Sequence, residues 1–280
     1  MRALEAEVVH AVWTAVEGLL PEPVDEHPLG CHRPRASDRV CFRGILIRLV
    51  TGCSWTTVEA LLDHMVSDTT LRSRRDEWIA AGVFNAVAAE ALAAFDRVIG
   101  LDLSEVALDG SQHKAPCGGE GTGPNCTDKG RSGWKWSLAT DTHGIPIGVI
   151  SAPANRNDCK LVAATLDDIA ARGLLDEIET LHLDRGYDFA FVRHDCTIRG
   201  LSDVQIAKCR KRGRGRRKRP IPLGLRWPVE RTNSWLTNFG QLRRNTDRRS
   251  IHRDAQLALA ITLILTIKLI DWRNRWSPIR

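Results

Sequence analysis

A chain of 280 residues with 43% hydrophobic and 26% charged side chains has the apolar material for one large packed domain or two ordinary ones, which excludes a disordered or fibrous chain. Its eight cysteines form no CxxC pair and fit scattered reduced thiols, and the first twenty residues mix Glu, Arg and His in a way that no signal peptide does. The net charge is +6, but residues 208–249 carry fifteen Lys and Arg against Glu230 and Asp247, a net +13 that leaves −7 for the rest. A charge run is often a solvated face. An asymmetry this large points instead to a polyanion, because each neutralised phosphate releases counterions.

From the N-terminus, residues 3–20 have helical periodicity, with Leu4, Val8, Val12, Ala15 and Leu19 on one side. Pro21, Pro23, Pro28 and Pro34 then break the chain into an extended linker. Four helices are predicted next. The first runs 38–51 and stops at Gly52; Ser54 or Thr56 caps a second that reaches Met65; Ser67 or Asp68 caps a third that reaches Ala80; beyond Gly82 the fourth covers 83–98. Short helices joined by tight turns, with Arg72, Arg74 and Arg75 on the third, resemble a helix-turn-helix that contacts DNA, although a plain helical bundle with exposed arginines has the same pattern.

After Gly100 the period changes. Residues 105–108 form a short apolar run that ends in Asp109-Gly110-Ser111, read as a strand and its turn. A glycine-rich loop follows, then a hairpin of strands 134–139 and 145–150 about the turn Asp141-Thr142-His143-Gly144. His113, Cys117 and Cys126 supply three zinc-type ligands in that loop, one short of a structural site, and zinc is not expected. Asn157 or Asp158 opens a helix to Arg172. A strand at 180–183 ends in Asp184-Arg185-Gly186-Tyr187-Asp188, where Asp188 is expected to cap the helix from Phe189, and a strand at 204–207 closes the set. This order predicts a mixed sheet with helices on both faces. The apolar run at 257–270 contains Lys268, is too short to span a bilayer, and reads as a buried helix.

Beyond the basic run, Pro228 suits the first position of a helix and places Glu230 in its first turn, near the positive end of the dipole. Val229, Thr232, Leu236 and Phe239 share its apolar face, and Glu230, Asn233 and Thr237 another. Asp109 and Asp184 have one setting in common, an apolar strand followed by a glycine-containing turn. If their strands are neighbours, both carboxylates meet at one edge of the sheet, where ligands of such sheets gather. With Glu230 they make three oxygen ligands for Mg²⁺, and two such ions about 3.5–4 Å apart suit in-line displacement at phosphorus. Taken singly, each aspartate is an ordinary turn former.

Several stretches together resemble bacterial insertion-sequence transposases of the IS5 type, within the DDE transposases of the IS4 superfamily. They are Leu108-Asp109-Gly110-Ser111, Gly118-Gly119-Glu120 with Gly123-Pro124, Ala154-Asn155-Arg156-Asn157-Asp158, Leu183-Asp184-Arg185-Gly186-Tyr187-Asp188 and Trp227-Pro228-Val229-Glu230-Arg231-Thr232-Asn233-Ser234-Trp235. Thr51-Gly52-Cys53-Ser54-Trp55 is similar to their helical N-terminal region, so the likeness runs nearly the length of the chain. It implies an α+β protein, with a helical, helix-turn-helix-like region at 1–100 and an RNase H-like catalytic domain at 101–280. It assigns the catalytic and metal-binding set to Asp109, Asp184 and Glu230. The family's last motif has tyrosine, arginine, glutamate and lysine; here Arg226 and Glu230 match, while Leu223 and Thr237 stand at the tyrosine and lysine positions.

The resemblance implies a transposase that cuts DNA at element ends and joins the 3′-hydroxyl to target DNA. It would use Mg²⁺, with Mn²⁺ as a substitute, as two ions. Its expected partners are double-stranded DNA and further copies of the chain, a homodimer or higher oligomer, in the cytoplasm at the nucleoid and away from membranes. An RNase H-fold nuclease without strand transfer and a non-cutting DNA-binding derivative share much of the pattern. The expected DNA contacts are Arg72, Arg74, Arg75, Lys135, Arg210, Lys211, Arg212, Arg214, Arg216, Arg217, Lys218, Arg219, Arg226, Arg231, Arg243 and Arg244.

Overall fold

The computed structural model describes residues 2–22, 34–206 and 227–276. Two compact units appear, one of residues 1–99 with 236–280, the other of residues 100–235. In the first, a 3-10 turn at Arg2–Leu4 leads into α1 (Ala6–Glu17), which buries Val8, Val12, Trp13 and Val16. Leu4 stays exposed, so the buried stripe is rotated from the expected one: Trp13 turns inward and packs on Phe42 with ring centroids 5.5 Å apart.

The next helices end where their capping residues say. α2 (Asp38–Thr51) terminates on left-handed Gly52, α3 (Trp55–Leu61) and α4 (Asp68–Ala80) begin on Ser54 and Ser67, and α5 (Val83–Val98) follows left-handed Gly82. The two serine hydroxyls accept the backbone N–H of Thr57 and Thr70, satisfying groups the first helical turn leaves open. α3 stops short of Met65 because Asp63 and His64 adopt left-handed backbone, which a helix cannot propagate. Glu59 closes that turn, accepting from the Asp68 N–H at 2.8 Å and pairing with His64.

Among the described residues, the second unit holds a six-stranded mixed sheet. β1 (Glu105–Lys114), β2 (Gly123–Asn125), β3 (Arg131–Thr140) and β4 (Pro146–Pro153) come first, then α6 (Val162–Ala171), β5 (Thr180–Leu183), α7 (Ala190–Thr197), β6 (Asp203–Ile206) and α8 (Trp227–Thr237). β3 lies between β1 and the pair β2 and β4, antiparallel to all three, while β1, β5 and β6 run parallel. This is the RNase H-like sheet that the resemblance implies. One face is covered by α6 and α7, whose Val162, Leu166, Val192 and Cys196 pack on Val106, Leu108, Leu181 and Leu183. Gly148 makes that closeness possible, since a Cβ there would stand 2.4 Å from Ile169. α8 docks on the other face.

β1 is longer than its apolar run suggests. Asp109-Gly110-Ser111 is not a turn; the strand continues to Lys114 in register with β3. Asp188, expected to cap α7, instead pairs with Arg193 at 2.7 Å, and Phe189 occupies the cap position.

The chain ends in α9 (Gly240–Arg243) and α10 (Ser250–Trp276), which group with the helical unit rather than with the sheet. α10 packs on α5, α1 and α4. Its length and apolar composition would allow a membrane span, but 67% of its apolar window is buried in the protein, as in a core helix. Near its start, buried Asp247 accepts from Gln241 and Gln256 at 2.8 and 2.7 Å and pairs with Arg48 and Arg75. Both arginines lie over the ring of Trp55. Their charges hold the Asp247 carboxyl below its ordinary range against the opposing effect of burial, the larger single influence.

Candidate active site

β1 and β5 are parallel neighbours whose last paired residues are Leu108 and Leu183. Asp109 and Asp184 each come one residue later, so they stand side by side at the same level. Adjacent strands lie about 4.8 Å apart. The alternation of side chains settles the face: Leu108 and Leu183 enter the core under α6, and Asp109 and Asp184 emerge on the opposite side. Each carboxylate is oriented by the next backbone N–H, from Gly110 to Asp109 Oδ1 at 2.9 Å and from Arg185 to Asp184 Oδ1 at 2.6 Å. Both are half-buried.

α8, the helix that carries Glu230, lies on the same face. Val229, Thr232, Leu236 and Phe239 are buried as their spacing predicts. Asn233 is buried too, and its Oδ1 accepts from Trp136 Nε1 at 2.8 Å. Trp136 pairs with Ser111 on β1, two residues beyond Asp109 and therefore on the Asp109 face. Glu230 is exposed one helical turn before Asn233. The N-terminal turn of α8 is fixed by the hairpin: Thr232 Oγ1 donates to Gly144 O, Arg231 donates to His143 O, and the Arg231 guanidinium lies between the rings of Trp227 and Trp235 at 4.3 and 4.8 Å. Gly144 has φ +77°, and a Cβ there would stand 2.9 Å from Arg231 and 3.0 Å from Pro228 O. Beneath it, fully buried Asp141 accepts the N–H groups of His143 and Ile145; burial pushes its carboxyl pKa up, and those hydrogen bonds oppose the shift. None of these supports is obvious from sequence, although Asn233 and Gly144 both sit in stretches that read as motif or turn.

The expected basic residues divide. Arg72 is exposed and pairs with Asp68, and Arg243 and Arg244 are exposed. Arg74 and Arg75 are not surface groups: they lie at helical spacing from Leu71 and Trp78 on the buried side of α4, Arg74 paired with Asp38 and Glu77, Arg75 with Asp247. Lys135 is 1% exposed on β3, with its ammonium 2.8 Å from Asp158. Arg231 is engaged by the two tryptophans. The remaining expected contacts, Arg210, Lys211, Arg212, Arg214, Arg216, Arg217, Lys218, Arg219 and Arg226, lie outside the described residues.

The donor set of three carboxylates suits a hard divalent cation that keeps some of its water. Among the described residues, no group of three or more His, Cys, Asp or Glu side chains is placed to hold a metal ion, so Asp109, Asp184 and Glu230 are not gathered into one coordination set. Oxygen donors on rigid strand ends and on a helix fit a metal completed from outside by water or phosphate.

A family model described as "Transposase DDE domain" matches residues 100–267, and a second, "Putative transposase of IS4/5 family", matches residues 9–88. The "Putative transposase for insertion sequence element IS402" of Burkholderia cepacia is 36% identical over 148 residues, covering 51% of this chain and 67% of that protein. The "Insertion element IS402 uncharacterized 16.2 kDa protein" of the same organism is 33% identical over 112 residues, 40% of this chain and 76% of that protein.

Proposed function

Since the chain belongs to the DDE transposases of the IS4/5 type, we propose that it cleaves DNA at the ends of an insertion sequence and joins the freed 3′-hydroxyl to target DNA. The observation that supports this reading is the register of β1 and β5, with Asp109 and Asp184 one residue past paired Leu108 and Leu183, on the face to which α8, the helix that carries Glu230, hydrogen-bonds. These three would hold Mg²⁺ or Mn²⁺, as two ions. Bound there, the ions would activate the attacking oxygen and stabilise the leaving one. The chain's own part is to fix the three carboxylates on rigid elements and to hold the phosphodiester against them. Arg72, Arg243, Arg244 and the basic run at 208–219 supply the sequence-independent grip. The helices of residues 37–98 supply preference for the element ends, and duplex DNA at the nucleoid, bound by two or more copies, is the natural substrate.

Asp109→Asn, Asp184→Asn and Glu230→Gln test the assignment. Each removes a negative charge with little change of shape. Each should lower cleavage of a terminal-repeat duplex in Mg²⁺ by about a thousandfold or more, as loss of several kcal/mol of charge stabilisation would. The losses should be far from additive in combination, and DNA affinity in EDTA should stay unchanged. Cleavage at the wild-type rate by any of the three removes that residue from the site. Cleavage without a strand-transfer product favours the nuclease reading.

A further inference from the structure

We infer that Trp136 and Asn233 are positioning residues that set the rotation of α8 and so aim Glu230 at the Asp109–Asp184 edge, an inference that rests on the active-site reading above. The indole N–H can only donate, so the amide oxygen of Asn233 has to face it. Both side chains are buried, and the indole has no room to turn: it stacks on His113 at 3.7 Å and meets Trp134 edge-on at 5.3 Å. His113 is itself on β1, four residues beyond Asp109 on the same face. A continuous path therefore runs from Asp109 along β1 to the Trp136 ring, across one hydrogen bond to Asn233, and back one helical turn to Glu230, with no loop in it.

The hairpin contacts do a different job. Thr232 and Arg231 tie the first turn of α8 to the carbonyls of Gly144 and His143. Those bonds fix where the helix begins, and the buried side chains of Val229 and Leu236 seat its apolar side, but apolar packing supplies no directional contact. At about 100° per residue, even a small rotation swings a first-turn glutamate across the strand ends. Asn233, three residues after Glu230, adds a directional contact to the face of the sheet that narrows the allowed rotation.

The test uses the full chain with Trp136→Phe, Asn233→Leu, the double variant, and Asn233→Asp, which retains an acceptor oxygen. Mn²⁺ binding to the DNA-bound protein is followed by electron paramagnetic resonance, beside DNA affinity in EDTA and the kcat and KM of cleavage. Each single variant should raise half-saturating Mn²⁺ about tenfold, the scale of one lost buried hydrogen bond. Each should also lower kcat by up to about a hundredfold through misplacement, with KM for DNA and affinity in EDTA unchanged. The double variant should be no worse than the worse single, and Asn233→Asp should recover most of the loss. If Asn233→Leu fails to fold, Trp136→Phe, which keeps an aromatic ring in place, decides. Half-saturation within twofold of wild type in folded Trp136→Phe, or additive losses in the double variant, overturns the positioning role. A wild-type chain that binds no Mn²⁺ and cuts nothing overturns the active-site reading, and this inference with it.

Discussion

Lys135 and Asp158 form an unequal pair. The ammonium is 1% exposed on a central strand, while the Asp158 side chain, 2.8 Å away, is 39% exposed. Asp158→Asn leaves the ammonium with neither water nor a counter-charge; Lys135→Met leaves a carboxylate that water still reaches. Removing one partner of a fully buried pair costs about 3–5 kcal/mol. Discounted for the solvent at Asp158, Asp158→Asn should cost about 2–3 kcal/mol, and Lys135→Met about 1 kcal/mol or less. The double variant should recover most of the larger loss, with a coupling of about 1–2 kcal/mol. Urea unfolding followed by near-ultraviolet circular dichroism of the buried Trp134 and Trp136 would register the Asp158→Asn loss as a midpoint shift of about 1 M. An Asp158→Asn midpoint equal to wild type, or a greater loss in Lys135→Met, refutes the reasoning. Weakened DNA binding by a fully stable Lys135→Met would return Lys135 to the DNA-contacting set.

Neutralising Arg216, Arg217, Lys218 and Arg219 together should weaken binding to every DNA sequence alike and reduce the salt slope by up to about 3.6, at about 0.9 per phosphate contact; an unchanged slope between low and moderate salt sinks the polyanion reading of that run. His113 gives a pH prediction. Burial pushes its pKa from 6.5 down to about 3, so between those values the unfolded chain takes up a proton that the folded one refuses. Its contribution to stability is therefore full above pH 6.5 and is lost as pH falls toward 3, at about 1.4 kcal/mol per pH unit. His113→Phe, which keeps a ring against Trp136, should flatten the acid side of the sheet unit's stability profile; an equally steep fall in that variant assigns the loss to other groups.

Local signals were legible where the chemistry is local. Ser54, Ser67, Gly52 and Gly82 punctuate the helices because capping and left-handed backbone involve residues three or four positions apart. The strand at 180–183 and the apolar face of α8 follow from periodicity. The end of β1 was hidden because Asp109-Gly110-Ser111 has turn-forming residues, while pairing with β3, a partner beyond the glycine-rich loop, keeps it extended. Composition misleads most over buried charge. Arg74, Arg75 and Lys135 look like DNA contacts until Asp38, Asp247 and Asp158 are found against them. For Arg74 and Arg75, spacing from Leu71 and Trp78 already points inward. The Asp247 cluster joins positions some two hundred residues apart and leaves no trace in sequence.

The same pleat that puts Asp109 and Asp184 on one face of the sheet also separates the two sides of β1. Asp109, Ser111 and His113 face α8, and Leu108 and Gly110 face α6; a slip of one residue would exchange the sets and bury the carboxylate. Gly110 is the residue least able to tolerate company, since a Cβ there would lie 2.3 Å from Asp158 Oδ1. That oxygen also receives Lys135, whose strand partner is Gln112. The buried ion pair thus occupies the space a side chain at position 110 would need, and any register that puts another β1 residue there is penalised by collision and by disruption of the pair. A charged pair that adds little net stability can still select one alignment out of several. On this argument the position of Asp109 is guarded from the far side of the sheet, by residues that never touch the site.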